Sequence, residues 1–101
     1  MTTGGNMAIR PLEIIVNLTR DQFVYIVLLN GNLDVKSSEG DEMVIGGAQD
    51  HRKYGPAGTE DGSYHFFRTY ITYQGHDLFA RANFASHDDG KTYRGILFVN
   101  M

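Results

Sequence analysis

The sequence predicts an all-β domain, a small antiparallel sandwich or partly open barrel ending in a three-stranded meander. Three observations carry that expectation. Short apolar runs recur at close spacing, divided by glycine-containing turns. Phe, Val, Tyr and Ile, which suit a pleated and half-buried surface, dominate those runs. Two hairpin signals, Gln74-Gly75 and Asp89-Gly90, cut the segment Ser63 to Met101 so that both turns place apolar residues on one face.

The elements follow in chain order. Met1 to Ala8 is small and polar, which predicts a flexible N-terminal tail over 1–10 and a β-rich domain over 11–101. Leu12 to Thr19 predicts a strand through Ile14, Ile15, Val16 and Leu18. Gln22 to Leu29 supports two readings. Thr19 with Gln22 resembles a capping box, and Asn30-Gly31 could close a helix. Against this, the run is rich in β-formers, and Asn-Gly is the strongest short hairpin signal. The segment Asn32 to Ser38 alternates through Leu33 and Val35 like a returning strand, so the strand reading is favoured. The alternative is an α+β fold with one helix at about 19–30.

Glu39 to Glu42 predicts a turn and Met43 to Ile45 a short strand. Residues 46–62 hold five glycines and a proline without an apolar pattern, which predicts a long Gly-rich loop.

The meander can be read residue by residue. A two-residue turn at Gln74-Gly75 sets Tyr73 against His76, Ile71 against Leu78, Thr69 against Ala80, Phe67 against Ala82 and His65 against Phe84. A turn at Asp89-Gly90 then sets Phe84 against Gly95, Ala82 against Leu97 and Ala80 against Val99. This face is apolar across all three strands, as a core face must be.

The opposite face carries Tyr64, Phe66, Arg68 and Tyr70, then Phe79, Arg81 and Asn83, then Arg94, Ile96 and Phe98. Arg68 falls across from Arg81, Tyr70 across from Phe79, and Arg81 across from Phe98. Like charges placed opposite each other are unfavourable unless something neutralises them. Arginine stacks on aromatic rings and forks onto carboxylate or phosphate, so the face predicts a binding surface of Arg68, Arg81, Arg94, Phe66, Tyr70, Phe79 and Phe98. A structural reading stands beside it: the N-terminal strands cover this face, and Asp34, Glu39, Asp41, Glu42 or Asp77 neutralises the arginines. The glycine-flanked loop residues His51, Arg52, Lys53 and Tyr54 form the only local basic cluster and a second candidate contact.

Composition narrows the function classes. A net charge of −3 argues against non-specific nucleic-acid binding, which needs a basic surface. The absence of cysteine removes thiolate metal sites and Cys nucleophiles. His51, His65, His76 and His87 fall in separate elements, so no metal site is predicted. Ser86-His87-Asp88 has the residue types of a catalytic triad, but adjacency does not make one, and turn chemistry explains it better. No apolar run reaches the roughly 18 residues of a membrane span, and no signal-peptide core precedes residue 10, so a cytoplasmic location is expected.

These readings converge on a small non-enzymatic protein-binding module without a cofactor, an inhibitor or adaptor, acting through the Arg/aromatic face and the 46–62 loop. The alternatives are a binder of a small anionic ligand, nucleotide or short single-stranded nucleic acid, and a structural subunit of a homo-oligomer, with a homodimer as its simplest form.

Overall fold

Two turns organise the sheet. At Gln74 and Gly75 both residues take positive φ (51° and 78°), the geometry that matches a hairpin to the right-handed twist of its strands. It joins β5 (Tyr64–Tyr73) to β6 (His76–Ala85), and a longer turn, in which Asp89 and Gly90 also take positive φ, leads to β7 (Thr92–Asn100). Every cross-strand pair expected from the sequence is present, including Phe67 with Ala82, Phe84 with Gly95 and Arg68 with Arg81. The computed structural model describes residues 11–54 and 64–100. The expected tail over 1–10 and the later part of the expected loop lie outside them.

The remaining strands extend the meander on both sides. β1 (Pro11–Thr19) pairs with β7 along its whole length. β3 (Glu42–Ile45) and β4 (Gln49–Tyr54) both pair with the other edge of β5, and β2 (Leu33–Lys36) pairs with β3. The result is one antiparallel sheet in the order β1-β7-β6-β5-β3-β2, curled into a half-barrel. The two ends of the curl meet at one point, where the Ser38 N–H donates to the Ile15 carbonyl at 2.7 Å.

The favoured strand reading of Gln22 to Leu29 is overturned. Residues Arg20–Val27 form helix α1, within the bounds of the alternative. The capping box forms in full: the Gln22 N–H donates to Thr19 Oγ1 at 3.2 Å, and the Thr19 N–H donates to Gln22 Oε1 at 2.9 Å. Phe23 and Ile26, three residues apart, share one helical face and are buried against the concave side of the sheet. Burying each contributes roughly 1.5–3 kcal/mol, more than the β-propensity of the run can offset. Asn30 takes φ 55° and ends the helical segment, so Asn30-Gly31 turns no hairpin, and the expected return strand pairs with β3 instead. We expect Thr19→Ala to lower stability by about 1 kcal/mol and Thr19→Ser to retain most of it, read from urea midpoints.

The expected 46–62 loop is also corrected, since 49–54 is a strand. β3 and β4 together form one bent strand along β5. The pairing sum shifts by one residue between Ile45–Ile71 and Gln49–Arg68, and by one more between Gln49–Arg68 and Arg52–Phe66. Each shift is a β-bulge. At the first, the Gly46 N–H donates to the Tyr70 carbonyl and the Ala48 N–H to the Ile26 carbonyl, which ties the bend to the helix end. At the second, Asp50 takes φ 54°. All of β4 is exposed, so it carries no apolar pattern; the free edge of β5 recruits it through the backbone.

The core lies on the concave side. Ile14, Val16 and Leu18 from β1 join Phe67, Ile71, Ala80, Ala82, Phe84, Leu97 and Val99 from the meander, with Met43 and Ile45 beside them.

Candidate functional site

Strand alternation sends the other set of side chains to the convex face. There β5 presents Tyr64, Phe66, Arg68 and Tyr70, β6 presents Phe79 and Arg81, and β7 presents Arg94 and Phe98, all exposed. The N-terminal strands do not cover this face, because β1 adds to the sheet edge and α1 occupies the concave side. Five of its aromatics, Tyr54, Tyr64, Tyr70, Phe79 and Phe98, are between 41% and 58% exposed. Tyr70 and Phe79 meet edge-to-face with centroids 5.3 Å apart, and Tyr54 meets Phe66 in the same way at 5.3 Å. These contacts hold the rings as fixed apolar ridges.

Between the two ridges, Asp50, Arg52, Phe66, Arg68 and Arg81 surround an open depression of about 490 Å³, its lining completed by Phe67 and Ala82. Three guanidinium groups therefore line one concavity with one carboxylate. Asp50 Oδ2 lies 3.6 Å from Arg68 Nη1, with side chains 65% and 57% exposed. Exposed pairs of this kind contribute about 0–1 kcal/mol. None of the acidic residues considered from the sequence (Asp34, Glu39, Asp41, Glu42, Asp77) pairs with Arg68; Asp50 does. Asp77 instead accepts from Thr72 Oγ1, and Asp41 from the Tyr73 hydroxyl. Among the described residues Arg81 has no ion-pair partner. Arg94 stands apart, opposite Ala85 and Asn17, and Phe98 lies across Arg81 on the far side from Arg68.

The basic cluster of β4 is divided between the faces. Arg52 and Tyr54 pair with Phe66 and Tyr64 and join the convex face, whereas Lys53 pairs with buried His65. His51 turns the same way as Lys53. Its Nε2 lies 2.9 Å from His65 Nδ1, and the two rings are within 5° of parallel with centroids 5.2 Å apart. An N···N contact of 2.9 Å is shorter than the ~3.5 Å of stacked atoms. The rings are thus joined edge to edge by an N–H···N hydrogen bond, in which one nitrogen donates and the other accepts. His65 also meets Phe23 edge-on at 4.9 Å and Tyr93 at 5.6 Å. Burial, then the charges of His51 and Lys53, lower its pKa to about 4. Burial and Lys53 lower that of His51 as well. Histidines in separate elements thus meet because β4 pairs with β5, which the sequence did not suggest.

At the β6–β7 turn, Ser86 and Asp88 bond to each other and to the turn. Ser86 Oγ donates to Asp88 Oδ1 at 2.9 Å, and the Gly90 N–H donates to Ser86 Oγ at 2.8 Å. Asp88 also accepts from the Thr92 hydroxyl at 2.6 Å and from the Thr92 N–H at 2.9 Å. These bonds, the Thr92 hydroxyl foremost, lower the Asp88 pKa to about 2. The Asp88 N–H also donates to Ser86 Oγ at 3.4 Å, so the serine hydroxyl closes a turn on the backbone two residues on. Among the described residues no group of three or more His, Cys, Asp or Glu could hold a metal ion, and no helix is long and apolar enough to cross a membrane.

The residue that sequence reasoning missed at this site is Asp50. It reaches Arg68 only because the second bulge displaces β4 by one residue, and no pattern of spacing signals that shift. No protein family, curated protein or solved structure matches this chain.

Proposed function

We propose that this chain is a protein-binding module, an inhibitor or adaptor, whose docking surface is the convex Arg/aromatic face. One observation carries the reading: exposed, mutually braced aromatic rings flank three arginines on a sheet face that no other described element covers. Aromatic residues and arginine are the side chains that concentrate binding energy at protein interfaces. A rigid sheet presents them with little ordering cost on association. The end of β4 extends the surface through Arg52 and Tyr54, which belong to the 46–62 segment.

Charge reversal tests the proposal. Arg68→Glu with Arg81→Glu should abolish retention of the protein partner captured by the tagged wild-type chain from its native lysate. Both side chains are exposed, so folding should persist, with stability changing by about 1 kcal/mol or less. Retention of every partner by the folded variant would overturn the reading. Should the reversal disturb folding, Arg68→Gln with Arg81→Gln removes the charges alone and carries the same test.

A second reading is supported by the depression itself, whose three arginines suit a small anion or nucleotide stacked beside Phe66. Such a ligand would raise the melting temperature without a change in mass. A homo-oligomer would show a doubled or higher mass with no partner added.

A further inference from the structure

The convex face has a feature that its role as a docking surface does not require. Asp50 sits at a bulge with φ 54°, a left-handed conformation that side chains other than glycine adopt at a cost, although aspartate and asparagine tolerate it. That geometry puts the carboxylate in the arginine-lined depression, 3.6 Å from Arg68, and it contacts neither Arg52 nor Arg81 within ion-pair distance. One carboxylate thus stands among three guanidinium groups: it pairs with Arg68, its charge also reaches Arg52, whose side chain is hydrogen-bonded to Tyr54, and no ion pair to Arg81 is formed among the described residues.

We propose that the depression receives the carboxylates of an acidic segment of a partner protein, and that Asp50 occupies one carboxylate position until the partner displaces it. This rests on the docking reading of the same face. Charge complementarity argues for the occupant: the lining carries three positive groups and one negative. Arg68 directly opposes Arg81, and an incoming carboxylate between them relieves a repulsion that Asp50 leaves in place. A planar guanidinium donates two parallel hydrogen bonds to the oxygens of one carboxylate.

The weakness of the Asp50 contact makes exchange feasible, since an exposed pair of this kind contributes at most about 1 kcal/mol. A nucleic acid is a poorer fit. It carries a phosphate at every nucleotide, and the same face bears Glu13 across from Phe98 and Asp77 across from Thr72, within two strands of the arginines. A polyanion laid along the sheet meets those charges, whereas a short acidic segment does not.

The test is fluorescence anisotropy with a fluorescein-labelled hexaglutamate peptide at low ionic strength. Asp50→Asn keeps a side chain that tolerates positive φ and removes the competing charge, and should tighten binding about threefold to fivefold. Asp34→Asn, an equal charge change on distant β2, should leave affinity unchanged, and Arg81→Gln should weaken it at least about tenfold. If Asp50→Asn matches wild type, or Asp34→Asn gives the same gain, displacement of Asp50 is overturned while the docking face stands. If a six-nucleotide oligothymidylate binds more tightly than hexaglutamate, or hexaglutamate binds no variant, the acidic segment is overturned. If hexaglutamate binds but neither Arg81→Gln nor Arg68→Gln weakens it, the docking reading fails with it.

Discussion

Replacing Phe84 with alanine is expected to destabilise the protein by about 3–5 kcal/mol, a large part of the 5–15 kcal/mol typical of a domain this size. Phe84 has 0% exposure and heads the fully buried side chains by volume. Its ring stacks on Phe67 at 5.6 Å and reaches Phe23 of the helix at 5.9 Å, so it joins β5, β6 and α1. It also lies over Gly95 of β7, where an added Cβ would clash with the ring carbons Cγ, Cδ2 and Cε2. Gly95→Ala should therefore cost about 1–3 kcal/mol by overpacking.

The two changes should not add. With Phe84 gone, the space for the new methyl is open, and Gly95→Ala should become nearly neutral in the Phe84→Ala background. Urea unfolding of the four proteins measures the coupling, expected at about 1–3 kcal/mol. Additive costs would show that Gly95 is required for some reason other than the ring.

Acidification is expected to produce the next largest effect. His65 is 8% exposed, and its pKa in the folded protein is about 4, against 6.5 for the unperturbed ring. The unfolded chain binds the proton more readily, so stability rises with pH across this interval. The contribution is complete above about pH 6.5 and is lost progressively as the pH falls towards 4, amounting to roughly 3 kcal/mol in full. His51 shifts in the same direction and adds to the slope. Asp88, held at about 2, extends the loss below the ordinary carboxylate range by the same sign, because its hydrogen bonds from Thr92 need the ionised form.

His65→Phe should flatten the dependence of the urea midpoint on pH between 4 and 6.5. A phenyl ring keeps the contacts with Phe23 and Tyr93 and cannot take a proton. An unchanged slope would place the acid sensitivity elsewhere. The lost N–H···N bond to His51 should also loosen β4, seen as faster amide exchange at its backbone.

The elements that could be read from the chain and those that could not differ in a physical way. The meander was legible because each turn carries its own signal and is centred where that signal lies, so register propagates from Gln74-Gly75 to Phe84 and on to Gly95 by counting. The convex arrangement of Arg68, Arg81, Tyr70, Phe79 and Phe98 came with it, since alternation assigns both faces at once. Helix α1 was misjudged because a capping box begun at Thr19 leads into a run of β-formers, and local propensity differences there are smaller than the burial of Phe23 and Ile26. β4 was missed because an exposed edge strand needs no apolar alternation.

What the sequence determined by itself is the all-β class, the register of β5, β6 and β7, and the residues on each side of those strands. Only the tertiary structure decided that α1 fills the concave side, that no other described element covers the convex face, and that two bulges bring Asp50 to Arg68 and His51 to His65. The reason is range. Hairpin pairing follows from neighbouring residues and a turn, whereas the placement of a helix or the recruitment of a polar edge depends on which distant surface remains unpaired once the sheet has curled.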